Sequence, residues 1–106
     1  MRDLRPRELE AHLQRATEAP LLLDVREPWE FEICHLEGSR LVPMRQIPAA
    51  LPTLDRQRET IVICHHGIRS RQVAIYLEQI GFTRVINLGG GVDAWAREVD
   101  PGMAIY

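Results

Sequence analysis

The chain contains no lysine. All 13 of its basic residues are arginine, and they are scattered among 15 acidic residues instead of being gathered into blocks. With a net charge of −2, such a distribution offers no basic patch for nucleic acid or for an anionic membrane. Long apolar runs are missing too. No stretch approaches the roughly 18 apolar residues of a membrane span, and Met1-Arg2-Asp3-Leu4-Arg5-Pro6 lacks the apolar centre of a secretory signal. The expected setting is therefore a reducing cytoplasm. Cysteine is scarce: Cys34 and Cys64 stand thirty positions apart, which excludes a Cys-x-x-Cys dithiol site, finger-like zinc spacing and a disulfide scaffold. Repeats and low-complexity segments are absent. At 106 residues there is room for one domain, expected to span 1–106, whose core buries roughly two-thirds of the unfolded surface.

What is present alternates short apolar strands with helical patterns. Asp3-Leu4-Arg5-Pro6 reads as an extended lead or short edge strand. Leu9, Leu13 and Ala16 then recur at helical spacing from Arg7 to about Thr17, with Pro6 suited to the first turn. Leu21-Leu22-Leu23-Asp24-Val25 is a continuous apolar run of the kind buried on both faces of a parallel sheet. Pro28 to Ile33 predicts a short helix with Phe31 facing the core, and Arg40-Leu41-Val42 a short strand closed by Pro43. Pro48 and Pro52 restrict Gln46–Leu51 to turn-like helical pieces. Thr60-Ile61-Val62-Ile63 is a β-branched strand, and Val73, Ala74, Leu77 and Ile80 form one helical stripe from about Ser70 that stops at Gly81. Arg84–Asn87 reads as the last strand. Gly89-Gly90-Gly91 permits a tight turn into a final helix starting at Val92. Trp29 and Trp95 are expected in the core. The order of elements predicts a compact α/β domain, a mostly parallel sheet with helices on both faces.

The chain is organised around Cys64-His65-His66-Gly67-Ile68-Arg69-Ser70, where a strand delivers a cysteine to the start of a helix. In open parallel sheets that edge is where ligands bind, and the helix start aims unpaired N–H groups at the loop. Partial positive charge there, with Arg69 beside it, favours the thiolate, the nucleophilic form. Gly67 suits a tight cradle of amides that needs a residue tolerating positive φ. On the residues alone, Cys64 is either this nucleophile or a small buried hydrophobe at a strand end.

Cys-x-x-Gly-x-Arg-Ser after a buried strand resembles the active-site loop of the rhodanese family of sulfurtransferases. Leu22-Leu23-Asp24-Val25-Arg26-Glu27 with Trp29-Glu30-Phe31 and His35-Leu36-Glu37-Gly38-Ser39 resembles the family's first signature, and Asn87 to Trp95 resembles the segment after its last strand. The resemblance implies a rhodanese-like domain with a five-stranded sheet. It implies catalysis by Cys64 through a persulfide, with His65, His66, Gly67, Ile68, Arg69 and Ser70 lining the substrate site and no cofactor or metal. Arg69 would bind an anionic sulfur donor, or else pair structurally with an acid such as Asp24 or Glu27. His65 and His66 occupy positions that vary in the family and would modulate donor preference near neutral pH. Asp24, Arg26, Glu27 and His35 match positions that brace the sheet edge. Cys34, where many relatives carry glycine, is either a buried structural thiol or a resolving partner for Cys64.

Two other readings compete. Cysteine phosphatases and arsenate reductases use a similar cradle but place five residues between cysteine and arginine, whereas four separate Cys64 from Arg69; the smaller ring suits a terminal sulfur better than a phosphoryl group. A non-catalytic binding module would be expected to have lost the cysteine. Glu98 to Tyr106 resembles the endings of rhodanese domains fused to adenylating enzymes. That implies a small sulfur donor, with a sulfur-carrier protein or cysteine desulfurase as protein partner.

Overall fold

A computed structural model describes residues 1–106. The chain runs β1 (Arg2–Leu4), α1 (Pro6–Arg15), β2 (Leu21–Asp24), α2 (Pro28–Ile33) and β3 (Arg40–Leu41). Two 3-10 turns, Met44–Gln46 and Leu51–Thr53, then bracket α3 (Ile47–Ala50), and β4 (Thr60–Ile63), α4 (Ile68–Gln79), β5 (Val85–Leu88) and α5 (Gly91–Glu98) complete the fold. The five strands lie in the order β1-β5-β4-β2-β3 and every pairing is parallel. β4 is therefore central, which is why it is β-branched and buried at all four positions. The edge strands have only three and two residues, short enough to offer little template for further pairing. No helix is long and apolar enough to cross a membrane.

Strand alternation divides the interior into two cores. Leu23, Val25, Val62, Cys64 and Val85 face one way, against Ile47 of α3 and Val73, Ala74 and Leu77 of α4. Leu4, Ile61, Ile63, Ile86 and Leu88 face the other way, against Leu9 of α1 and Val92 of α5, and Cys34 belongs to this second core. Helices thus cover both faces, and the sheet separates the two cysteines. α4 starts two residues earlier than the apolar stripe suggests, because Gly67 at φ 92 caps it and Ile68 and Arg69 already turn with it.

Two expectations for α2 are corrected. Phe31 is only half-buried and stacks on the exposed His35 ring, with centroids 3.9 Å apart. Trp29 is 60% exposed, and only Trp95 packs against a core. A six-residue helix entered at Pro28 buries one position, and that position is Glu30. The reason lies in what Glu30 meets, described below.

The largest fully buried side chain is Arg26. Its Nε and Nη2 donate to the Asp24 carboxylate at 2.8–3.1 Å, and it also donates to the main-chain oxygens of Cys34 at 2.6 Å and Glu30 at 3.3 Å. Burial opposes its charge, but the hydrogen bonds to Asp24 and Tyr106 and the charge of Asp24 together outweigh it and hold the guanidinium firmly protonated. Removing one partner of such a pair leaves an uncompensated buried charge. Asp24→Ala is accordingly expected to lower stability by about 3–5 kcal/mol, measured as a reduced urea midpoint with an unchanged slope.

Candidate active site

Cys64 follows β4 directly, at the carboxyl edge of the sheet, and its residue is 1% exposed. Its sulfur is nevertheless not a greasy core atom. The N–H of Gly67 donates to Sγ at 3.1 Å and that of Ser70 at 3.3 Å. Ser70 is in the first turn of α4, where helix N–H groups have no partner within the helix, so the helix start is spent on the sulfur. The N–H groups of His66, Ile68 and Arg69 have no protein acceptor.

Two glycines make this ring possible. Gly67 has φ 92, and a Cβ there would lie 2.9 Å from the Gly90 nitrogen and 3.1 Å from the Leu88 oxygen. Gly91 lies so close to the cysteine loop that a Cβ would come within 2.4 Å of the Cys64 and His65 oxygens. The N–H groups of Val92 and Asp93, at the start of α5, donate to those same two oxygens at 2.9 and 3.1 Å. Gly89-Gly90-Gly91 is thus more than a turn. It seats one helix start against the back of the cysteine loop while α4 supplies the front.

Arg69 meets an acid, and the acid is neither Asp24 nor Glu27. Its two terminal nitrogens each donate at 2.8 Å to the two oxygens of Glu30. Asp24 is occupied by Arg26, and Glu27 pairs with Arg45 on the surface. The Arg69 hydrogen bond holds the Glu30 carboxyl down to about 2, against the desolvation that would raise it, and Glu30 in turn holds Arg69 firmly charged. Tyr106 closes the group: its hydroxyl donates to Glu30 at 2.9 Å and accepts from Arg26 at 2.9 Å. Burial pushes that phenol up to about 12. Two of the five N–H donors of Arg69 face Glu30, which leaves three for a ligand.

His65 stacks face to face on the Tyr106 ring, centroids 3.8 Å apart, and its Nε2 lies 2.9 Å from the Tyr106 main-chain oxygen. Burial and the neighbouring His66 push its pKa down, and with a main-chain oxygen as partner it is the ring nitrogen that donates. His66 is exposed and tilted against His65. Ligand atoms of His65, His66 and Asp93 fall within 4.8 Å of one another. The Asp93 oxygens are engaged by Arg97, which holds that carboxyl below its usual range, and His65 is engaged by Tyr106. Ile68 projects outward at 69% exposure.

The structure therefore places Cys64, Gly67 and Ser70 in direct contact, Arg69 next to Ser70 with its side chain paired to Glu30, and His65, His66 and Ile68 around the rim. Sequence reasoning missed Glu30, Asn87 and Tyr106. Glu30 stands between two aromatic residues, and Asn87 interrupts the apolar run of β5; a polar residue where the pattern demands an apolar one was the available signal. Tyr106 carried no local signal. Cys34 is buried, with Sγ 4.0 Å from Arg26.

The domain is a small α/β fold that sets a cysteine within a ring of main-chain N–H groups at the carboxyl edge of a parallel sheet. The chain belongs to the family of the Rhodanese-like domain, whose model matches residues 5–98. It is 39% identical over 88 residues to a sulfurtransferase of Allochromatium vinosum, covering 83% of this chain and 82% of that protein. It is 37% identical over 112 residues to rhodanese-like/PpiC domain-containing protein 12 of Arabidopsis thaliana, covering all of this chain and 38% of that protein. The chain spans only 26–38% of the first curated relatives it matches. Among solved structures, a rhodanese-like domain protein from Staphylococcus aureus superposes with a TM-score of 0.84 at 29% identity, over 100% of this chain and 99% of that one.

The Glu30 carboxylate, held low only in the folded protein, contributes stability that is complete above its ordinary pKa and is lost as pH falls toward about 2. Glu30→Gln should therefore cost about 2–3 kcal/mol near neutral pH. The gap to wild type should close as pH falls from about 5 to about 2, measured by urea denaturation across that range.

Proposed function

We propose that the protein is a sulfurtransferase that carries a sulfane sulfur on Cys64. The observation that carries this reading is the pair of N–H groups, Gly67 and Ser70, directed at Sγ, with further unpartnered amides in the same short ring. The Cys64 thiolate attacks the outer sulfur of thiosulfate or of a persulfide. The Sγ–S bond forms as the donor's S–S bond breaks, and the electron pair of that bond leaves on sulfite or on the donor thiolate. What remains is a cysteine persulfide with its negative charge on the outer sulfur. A thiolate or cyanide then attacks that outer sulfur, takes it, and returns the Cys64 thiolate. Covalent storage divides one transfer into two easier steps and gives ping-pong kinetics.

The charge to be stabilised moves from Sγ to the outer sulfur in the first step and back in the second. Fixed N–H dipoles suit that movement because they need no reorganisation as the charge shifts. Gly67 and Ser70 serve Sγ, while the amides of His66, Ile68 and Arg69 serve the outer sulfur. Arg69, locked by Glu30, presents its remaining N–H groups to the anionic part of the donor and is too constrained to swing deep into the ring. His65 and His66 shape the rim. The sulfurtransferase name of the Allochromatium relative supports the reaction class. The presence of adenylyltransferase and sulfurtransferase proteins among the relatives, with the form of the tail, supports a sulfur-carrier protein as acceptor.

Incubation with thiosulfate followed by intact mass measurement should show a gain of one sulfur atom, reversed by cyanide. Cys64→Ser should abolish the gain and Cys34→Ser should leave it unchanged. If no sulfane donor, thiosulfate, mercaptopyruvate or persulfide, leaves the adduct, the transferase reading fails.

A further inference from the structure

A chain of hydrogen bonds, buried up to its last link, runs from the sulfur of Cys64 to the far edge of the sheet, and its protons can be counted. Asn87 in β5 is 2% exposed, and its Nδ2 donates to Asp3 Oδ1 at 2.8 Å and to the Gly67 oxygen at 3.2 Å. Both partners accept only. The side-chain oxygen of Asn87 must therefore face the other way, toward Ser70. The Ser70 hydroxyl, fully buried, donates its one proton to that oxygen at 2.5 Å. A lone pair of Ser70 Oγ is then left pointing at Cys64 Sγ, 3.2 Å away, and the contact is a hydrogen bond only while the sulfur bears a proton.

From this arrangement we infer that Asp3, acting through Asn87 and Ser70, holds Cys64 in its resting thiol form, which makes Asp3 and Asn87 positioning residues for the nucleophile. This rests on the assignment of Cys64 as the nucleophile. When the thiol ionises or takes up sulfur, Sγ loses its proton and meets an oxygen lone pair. The Ser70 hydroxyl must turn toward the sulfur, which leaves the Asn87 oxygen without a donor. Asn87 cannot rotate its amide to compensate, because rotation would set its oxygen against Asp3 and Gly67. The cost of activating the cysteine is in this way fixed partly by a residue of an edge strand.

Other charges around the loop come already paired: Arg69 with Glu30 of α2, Asp93 with Arg97 within α5, Arg26 with Asp24 beyond β2, and Asp3 itself with Arg71 of α4. His65 and His66 are the remaining titratable neighbours in the loop. Asp3 differs from these ion pairs in reaching the sulfur by an unbroken line of hydrogen bonds, although its own side chain is 46% exposed.

The test follows alkylation of Cys64 by iodoacetamide as a function of pH, read on the peptide that carries it. Four proteins are compared: wild type, Asp3→Asn, Ser70→Ala and the double variant. An asparagine at position 3 can donate as well as accept, so it removes the shorter of the two contacts that hold the Asn87 amide and leaves only the longer one to the Gly67 oxygen against its rotation; a rotated Asn87 offers its N–H to Ser70 and frees the hydroxyl proton for the thiolate. Asp3→Asn should move the alkylation midpoint down by about half to one pH unit, the worth of one net hydrogen bond. The same substitution should have no effect in the Ser70→Ala background. An equal shift in both backgrounds would mean that the charge of Asp3 acts through space, and no shift in either would mean that the chain transmits nothing; both results overturn the inference. If Ser70→Ala does not fold, the shift is measured again in about 1 M salt, where exposed charges are screened beyond roughly 3 Å. Persistence supports the hydrogen-bond route and collapse overturns it. No sulfur donor enters this measurement. A midpoint shift without any sulfur loading would overturn the transferase reading and support this one.

Discussion

A guanidinium with no access to water organises the region around the site. Arg26 must satisfy its donors inside the protein, and it does so on Asp24, on the main chain of Glu30 within α2 and of Cys34 just beyond it, and on the Tyr106 hydroxyl. Those demands fix where α2 lies relative to β2. They also put Glu30 where Tyr106 and Arg69 can both reach it. Arg69 belongs to the first turn of α4, and the same turn supplies the Ser70 N–H that meets Sγ. A buried charge is weak evidence for stability as such. Here its effect is geometric: it converts an ion pair under the sheet edge into a fixed position for the helix that holds the cysteine.

The cradle is dipolar more than ionic. Full positive charge near the sulfur resides on Arg69, which Glu30 neutralises, so the field at Sγ comes mainly from N–H groups fixed by the backbone. Such a field does not depend on a side chain finding its rotamer and does not titrate near neutral pH. The placement of Cys34 in the opposite core also matters, since the sheet stands between the two thiols and Cys64 has no cysteine beside it.

Much of this was legible in the sequence. The β-branched run before Cys64, the helical stripe after it and the glycine between them prescribe a strand, a cap and a helix, and the parallel sheet follows from the alternation of such units. Boundaries moved by a residue or two because Gly67 begins the helical turn before the apolar stripe does. Side-chain partnerships were not legible. The sequence suggested an acid such as Asp24 or Glu27 for Arg69, and only the docking of α2 determines that Glu30, thirty-nine positions away, receives it. Phe31 and Trp29 were read as core because they are aromatic, yet a helix of six residues has one inward position, and a charge network claimed it. Asn87 looked like the polar end of a strand. It is buried because three hydrogen-bond partners, from β1, the cysteine loop and α4, meet its amide there.

The interlock of Gly67 with the Leu88–Gly90 backbone, and of Gly91 with the Cys64 and His65 oxygens, bears on how this scaffold can change over time. The two loops fit like cog teeth, with no room for an added methyl group at either contact. A side chain at Gly67 or at Gly91 would come within 2.9 Å of the neighbouring backbone. Any lineage that replaces either glycine must reshape both loops together, and the intermediate with only one altered would carry the clash. That barrier helps keep both glycines in place, whatever happens to the residues on the rim.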